Sequence, residues 1–106
     1  MAIRRLAARF RRACRRAGVA TTDQFAGLDE AGGWDTEQLD RVLQASGTSL
    51  ELNLHPGATD DPDRARFAWG YEWGGELELL CAPATREAVR RSGWDLATPG
   101  EVAAST

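Results

Sequence analysis

The sequence has no lysine, a single histidine, a single methionine, a single tyrosine and two cysteines among its 106 residues. Each scarcity removes a class of chemistry. One histidine cannot supply the paired imidazoles of a zinc hydrolase, and Cys14 and Cys81 lie far apart with no CxxC neighbour, so neither a disulfide framework nor a zinc ribbon is available. Two free, partly buried thiols are expected instead. No apolar run approaches the about 20 residues that span a bilayer, and the N-terminal stretch has no apolar core of a secretory signal. These features predict a cytoplasmic protein. Walker, GxGxxG and GxSxG patterns are also missing.

What is present is one domain's worth of ordinary globular composition, 42% hydrophobic and 27% charged, too apolar for general disorder. An all-arginine basic set, with abundant alanine and glycine, reflects a GC-rich coding sequence more than a chemical demand. Charge is distributed unevenly. Residues 1–22 carry seven arginines and no acid, hence +7; the remainder carries six arginines against sixteen acids, hence −10. An arginine-rich helix invites a nucleic-acid reading, but the acidic remainder would repel a phosphate backbone. A solvated face, or one docked on an acidic partner, is expected. Neither nucleic acid nor a membrane is expected as a partner.

Hydrophobic periodicity places the elements. Ile3, Leu6, Phe10 and Cys14 recur at helical spacing, so residues 1–17 form a basic amphipathic helix that Gly18 stops. Val19 to Thr22 is short and β-prone. Asp35 or Thr36 caps a second helix carrying Leu39, Val42 and Leu43. Residues 48–54 alternate strictly, with Leu50, Leu52 and Leu54 on one face and Glu51, Asn53 and His55 on the other. Pro56-Gly57 breaks that strand. A helical turn is predicted over Asp63 to Ala68, a helix over 75–81, another over 84–91 and a short extended piece over 94–97. A frayed tail is predicted from Thr98 onward. The order predicts an α/β fold with parallel strands in one domain over residues 1–97, with 98–106 as tail. Three short strands make an incomplete sheet, with an edge that needs cover.

His55 sits where a buried strand opens into a loop, the end at which α/β proteins bind ligands. An imidazole there serves as a general acid or base, or it merely caps a turn. Asp23 is read either as a site carboxylate or as a turn cap. Glu51 and Asn53 share a face with His55 and either orient it or face solvent. Asp60, Asp61 and Asp63 do not match a calcium loop. Glu76 is a candidate pocket residue. Trp69, Tyr71 and Trp73 form an aromatic patch, either a platform for a sugar ring or a small cluster under a loop.

Four segments, in order, resemble the YdjC-like carbohydrate deacetylases, a family that includes chitooligosaccharide deacetylases and hopanoid-biosynthesis-associated deacetylases. Ala17 to Leu28 is similar to its "aG(v/l)xTpDhFxG" stretch and Leu50 to Gly57 to its "xElmxHPG" stretch. Trp73 to Leu80 with Pro83 resembles its "R(x)ELexLxxP" region, and residues 84–97 its "vrxxlxxxGixLxs" segment. The resemblance implies a partial (β/α) barrel-like deacetylase fold, with this chain as its C-terminal half. It implies hydrolysis of an N-acetyl group on a sugar or oligosaccharide by a divalent metal, Mg or Zn, held by an aspartate and two histidines upstream. No metal is expected on this chain alone, and negligible activity is expected in isolation. His55 maps onto a candidate catalytic acid. Asp23, Phe25, Trp73 and Glu76 are the implied substrate-binding residues. A separate N-terminal half or a homo-oligomer is the implied cover for the sheet edge. Gln24, Asn53 and Gly74-Gly75 depart from the pattern, where histidine, a small or sulfur-bearing residue and an arginine neighbourhood are usual.

Overall fold

A computed structural model describes residues 2–105. Its elements are α1 (Ala2–Arg16), β1 (Gln24–Ala26), α2 (Thr36–Leu43), β2 (Leu50–Leu52), a 3-10 segment (Pro62–Arg66), α3 (Trp73–Cys81), α4 (Pro83–Ser92) and α5 (Pro99–Ala104). β1 and β2 pair in parallel, Gln24 beside Leu50 and Ala26 beside Leu52. A parallel pair needs a crossover, and α2 supplies it.

Local chemistry explains the helix ends. Asp35 caps α2 by accepting from the Gln38 N–H at 2.8 Å, while the Asp35 N–H donates to Gln38 Oε1 at 3.1 Å, a reciprocal capping box. Pro83 occupies the first turn of α4, where its missing N–H is harmless, and the extended Ala82 before it separates α3 from α4. Gly93, at φ 84°, closes α4 in the left-handed conformation.

The core is small. Trp34, Leu39, Leu43 and Leu79 are buried together, and Leu50, Leu52, Leu54, Ala88, Val89 and Trp94 pack partly against them. Two indole N–H groups tie this core to the backbone: Trp34 donates to the Asn53 carbonyl at 3.0 Å and Trp94 to the Leu43 carbonyl at 2.9 Å.

Several expectations change. The first strand begins at Gln24 and not within Val19 to Thr22, because the parallel register brings residues 24–26 beside β2. Among the described residues the sheet has two strands, and residues 94–97 form no strand. Where a frayed tail was expected from Thr98, Pro99–Ala104 form α5; Thr106 lies outside the described residues. Thr98 caps α5, with the Glu101 N–H donating to Thr98 Oγ1 at 3.3 Å and the Thr98 N–H to Glu101 Oε2 at 2.7 Å. Cys14 is buried but Cys81 is exposed.

The apolar stripe of α1 is not covered: Ile3, Leu6 and Phe10 are 59%, 61% and 68% exposed. The helix is held mainly by polar contacts, Arg4 to Asp29 at 2.6 Å and Arg11 to the carbonyls of Thr22 and Asp23 at 3.3 and 2.5 Å. Phe10 and Ala7 form one wall of a broad open groove whose floor carries Leu50, Leu52 and Leu54. Among the described residues, no helix is long and apolar enough to cross a membrane.

Candidate functional site

Beyond β2 the chain runs through Asn53 and Leu54 to His55, Pro56 and Gly57. Proline and glycine cannot prolong the strand, so the turn delivers His55 to the N-terminal end of α3. Two small residues allow the close approach. A Cβ on Gly74 would lie 2.5 Å from Thr59 Cγ2, and the Gly57 N–H donates to the Trp73 carbonyl at 3.0 Å. The HPG turn and the first turn of α3 are therefore in backbone contact.

Glu76 lies in the first turn of α3, where a carboxylate complements the helix dipole. It is completely buried. Its Oε2 accepts the His55 backbone N–H at 2.8 Å and lies 4.0 Å from His55 Nδ1. His55 keeps 27% of its side-chain exposure. Its ring meets Tyr71 edge-on at 5.1 Å and Trp73 at 6.3 Å between centroids.

The aromatic segment extends this wall. Phe67, Trp69, Tyr71 and Trp73 occupy alternate positions, and their rings form a continuous series. Phe67 to Trp69 and Trp69 to Trp73 are each 5.4 Å, Trp69 to Tyr71 is 5.7 Å, and Tyr71 to Trp73 is 5.2 Å. Such centroid spacings are those of favourable edge and tilted aromatic pairs. Gly32 fixes the segment from behind. It adopts φ +80°, a Cβ there would come within 2.2 Å of the Tyr71 ring, and its carbonyl accepts the Glu72 N–H at 2.8 Å. Trp69 remains 60% exposed, so the series presents an open aromatic face.

The structure thus unites His55, Trp73 and Glu76, and adds Tyr71 and Trp69. It does not unite Asp23 and Phe25 with them. Asp23 precedes β1 at the end of the sheet opposite His55. There its Oδ2 accepts the Thr48 N–H at 2.8 Å and the Thr48 hydroxyl, and its own N–H donates to Ser49 Oγ at 2.8 Å. The Thr48 hydroxyl, then the Thr48 N–H, hold its carboxyl below the ordinary value, with smaller help from Ser49 and Arg11. Asp23 staples the two strand entrances together. Phe25 is 53% exposed and lines the open groove. The placement of Asp23 just after a strand changes with the register, because β1 starts at Gln24 and Asp23 enters it.

The orienting carboxylate also differs from the residues with the right strand parity. Glu51 accepts from the Thr22 hydroxyl at 3.2 Å, and the Asn53 carbonyl receives Trp34. Glu76 takes the position beside His55. Its signal in the sequence was an acid among leucines at a helix start. Phe67 was missed although the alternation from 67 to 73 marks it.

Among the described residues, no three His, Cys, Asp or Glu side chains converge to hold a metal ion. His55 and Glu76 are two groups, and the Glu76 carboxylate is sealed from solvent. This cluster does not fit the divalent ion that the family resemblance implies. Asp61 and Asp63 are engaged locally, Asp61 accepting the Asp63 N–H at 2.9 Å and Asp63 pairing with Arg66 at 3.3 Å.

The arrangement can hold an imidazole against an aromatic wall, with one edge accessible and the other backed by a buried carboxylate. Comparison with known proteins gives one match. The family model described as YdjC-like protein matches residues 1–91. No curated protein matches, and no solved structure does.

Proposed function

The chain belongs to the YdjC-like family, and from that premise we propose that it carries the acid–base and sugar-contacting part of a carbohydrate N-deacetylase site. The observation that supports this reading is the joining of His55 to the aromatic series through Trp73 and Tyr71. Apolar C–H faces of a pyranose ring stack on aromatic faces. An imidazole at the edge of that platform is within the reach needed to protonate a departing amine. The ligand is an N-acetylated sugar or oligosaccharide, with Trp69 and Trp73 as its platform.

The residues for a divalent ion, Mg or Zn in the family, would come from outside residues 1–106. We place a covering polypeptide, a separate N-terminal half or a second copy, over the open groove formed by Phe10, Phe25 and the leucines of β2. Such cover completes the barrel-like fold, and the isolated chain is then inactive. Two free cysteines suit a reducing cytoplasm.

Calorimetric titration with N-acetylated chitooligosaccharides tests the binding. The expected result is measurable affinity that falls about tenfold in Trp73→Ala, the loss of one stacking face worth about 1.5 kcal/mol. A titration without heat at millimolar ligand, unchanged by Trp69→Ala or Trp73→Ala, refutes the sugar platform. Acetate release by the purified chain with added metal, abolished in His55→Ala, refutes the claim that residues outside 1–106 are required.

A further inference from the structure

Two polar atoms in the site are sealed from solvent without a hydrogen-bond partner: His55 Nδ1 and Glu76 Oε1. Buried polar groups are rarely left unpaired, and the orphaned Nδ1 faces the carboxylate that already binds the main chain of its own residue. Glu76 Oε2 already binds the His55 main chain at 2.8 Å and stands 4.0 Å from Nδ1. That separation exceeds a hydrogen bond. The torsion about the imidazole ring is broad, so ring rotation is the movement that would bring Nδ1 toward the carboxylate. The ring also meets Tyr71 and Trp73 edge-on.

We propose that Glu76 is a positioning residue that holds the proton of neutral His55 on Nδ1 and leaves Nε2 bare on the accessible edge. The physical reason is local. With the proton on Nε2, the Nδ1 lone pair would face a buried carboxylate, two acceptors opposed in a low-dielectric interior. With the proton on Nδ1, the same carboxylate receives a charge-assisted hydrogen bond. Nε2 is then the nitrogen that takes a proton from solvent or ligand and returns it, with no net change in the dyad. This deepens the reading of His55 as the acid–base group and rests on that reading for its use, but not for its existence.

The test uses the ligand-free protein. His55 is the sole histidine, so the imidazole region of a 15N–1H correlation spectrum reports it alone. At alkaline pH the expected pattern is a protonated Nδ1 and a bare Nε2. Glu76→Gln removes the charge while keeping an acceptor for the His55 N–H, and the Nδ1–H to Nε2–H ratio should fall about fivefold, the difference between a charge-assisted and a neutral hydrogen bond. Unchanged backbone amide shifts elsewhere establish that the variant keeps the fold. A wild-type spectrum showing the Nε2–H form overturns the proposal, as would a carboxyl proton donated from Glu76 to Nδ1, which gives that same form. An unchanged ratio in Glu76→Gln overturns it as well. If the variant does not fold, the wild-type tautomer still decides. Failure of sugar binding with the Nδ1–H form intact would remove the proposed ligand and leave this dyad standing.

Discussion

Replacing Trp34 with phenylalanine probes the joint between core and site. Trp34 is 5% exposed, centres the cluster with Leu39, Leu43 and Leu79, and donates its indole N–H to the Asn53 carbonyl at 3.0 Å. Asn53 lies two residues before His55, so this bond fixes the strand exit that aims the imidazole. Phenylalanine removes the donor, a net loss of about 1 kcal/mol. Removing the buried indole atoms adds about 1–2 kcal/mol of lost transfer and cavity energy. The expected destabilisation is about 2–3 kcal/mol, a large share of the roughly 5–15 kcal/mol available to a domain of this size. In urea, with a slope near 1.5 kcal/mol per molar, the midpoint should drop by about 1.3–2 M with an unchanged slope. A drop below about 0.3 M would refute the assignment of Trp34 as both core centre and anchor of the His55 strand exit. An altered slope would point to a changed denatured state.

Further outcomes follow from the same geometry. Gly32→Ala places a Cβ against the Tyr71 ring in a left-handed backbone conformation, and should destabilise by about 1–3 kcal/mol, read by thermal melting, while shifting the aromatic ring-current signals of Tyr71 and His55. Asp23 has a lowered folded-state pKa, held chiefly by the Thr48 hydroxyl. Its contribution is therefore present in full above the ordinary value of 3.8 and is lost as pH falls through the lowered one. The difference in melting temperature between wild type and Asp23→Asn should be largest near neutrality and shrink below that value; a constant difference from pH 7 to pH 2 would contradict it. Thr98→Ala removes the cap of α5 and should speed amide exchange at residues 100–104 while leaving the His55 imidazole signals in place. If a second copy covers the groove, light scattering should give a dimer mass that reverts to monomer in Phe10→Asp.

Helix positions were legible because their signals are local. The Asp35 cap, the Pro83 start and the Gly93 stop are each written in a few adjacent residues. The alternation of Leu50, Leu52 and Leu54 marked the strand, and the HPG turn marked its exit. The first strand was misplaced because strand pairing is a long-range choice: only the register with Leu50 to Leu52 shows that Asp23 enters a strand and does not follow one. Parity also pointed to Glu51 and Asn53 as partners of His55. A side chain from α3, 21 residues away in sequence, occupies that place, since the small residues of the HPG turn and of Gly74 let the two segments touch.

By itself, then, the sequence determined the family, the single histidine, the charge division and the elements whose caps and periods are local, because those depend on neighbours within one or two turns. Tertiary structure decided which groups meet. It carried Asp23 to the far end of the sheet, left the apolar stripe of α1 uncovered, and set a buried Glu76 behind His55. Each depends on the direction and packing of segments far apart in the chain, for which no local residue pattern carries the information.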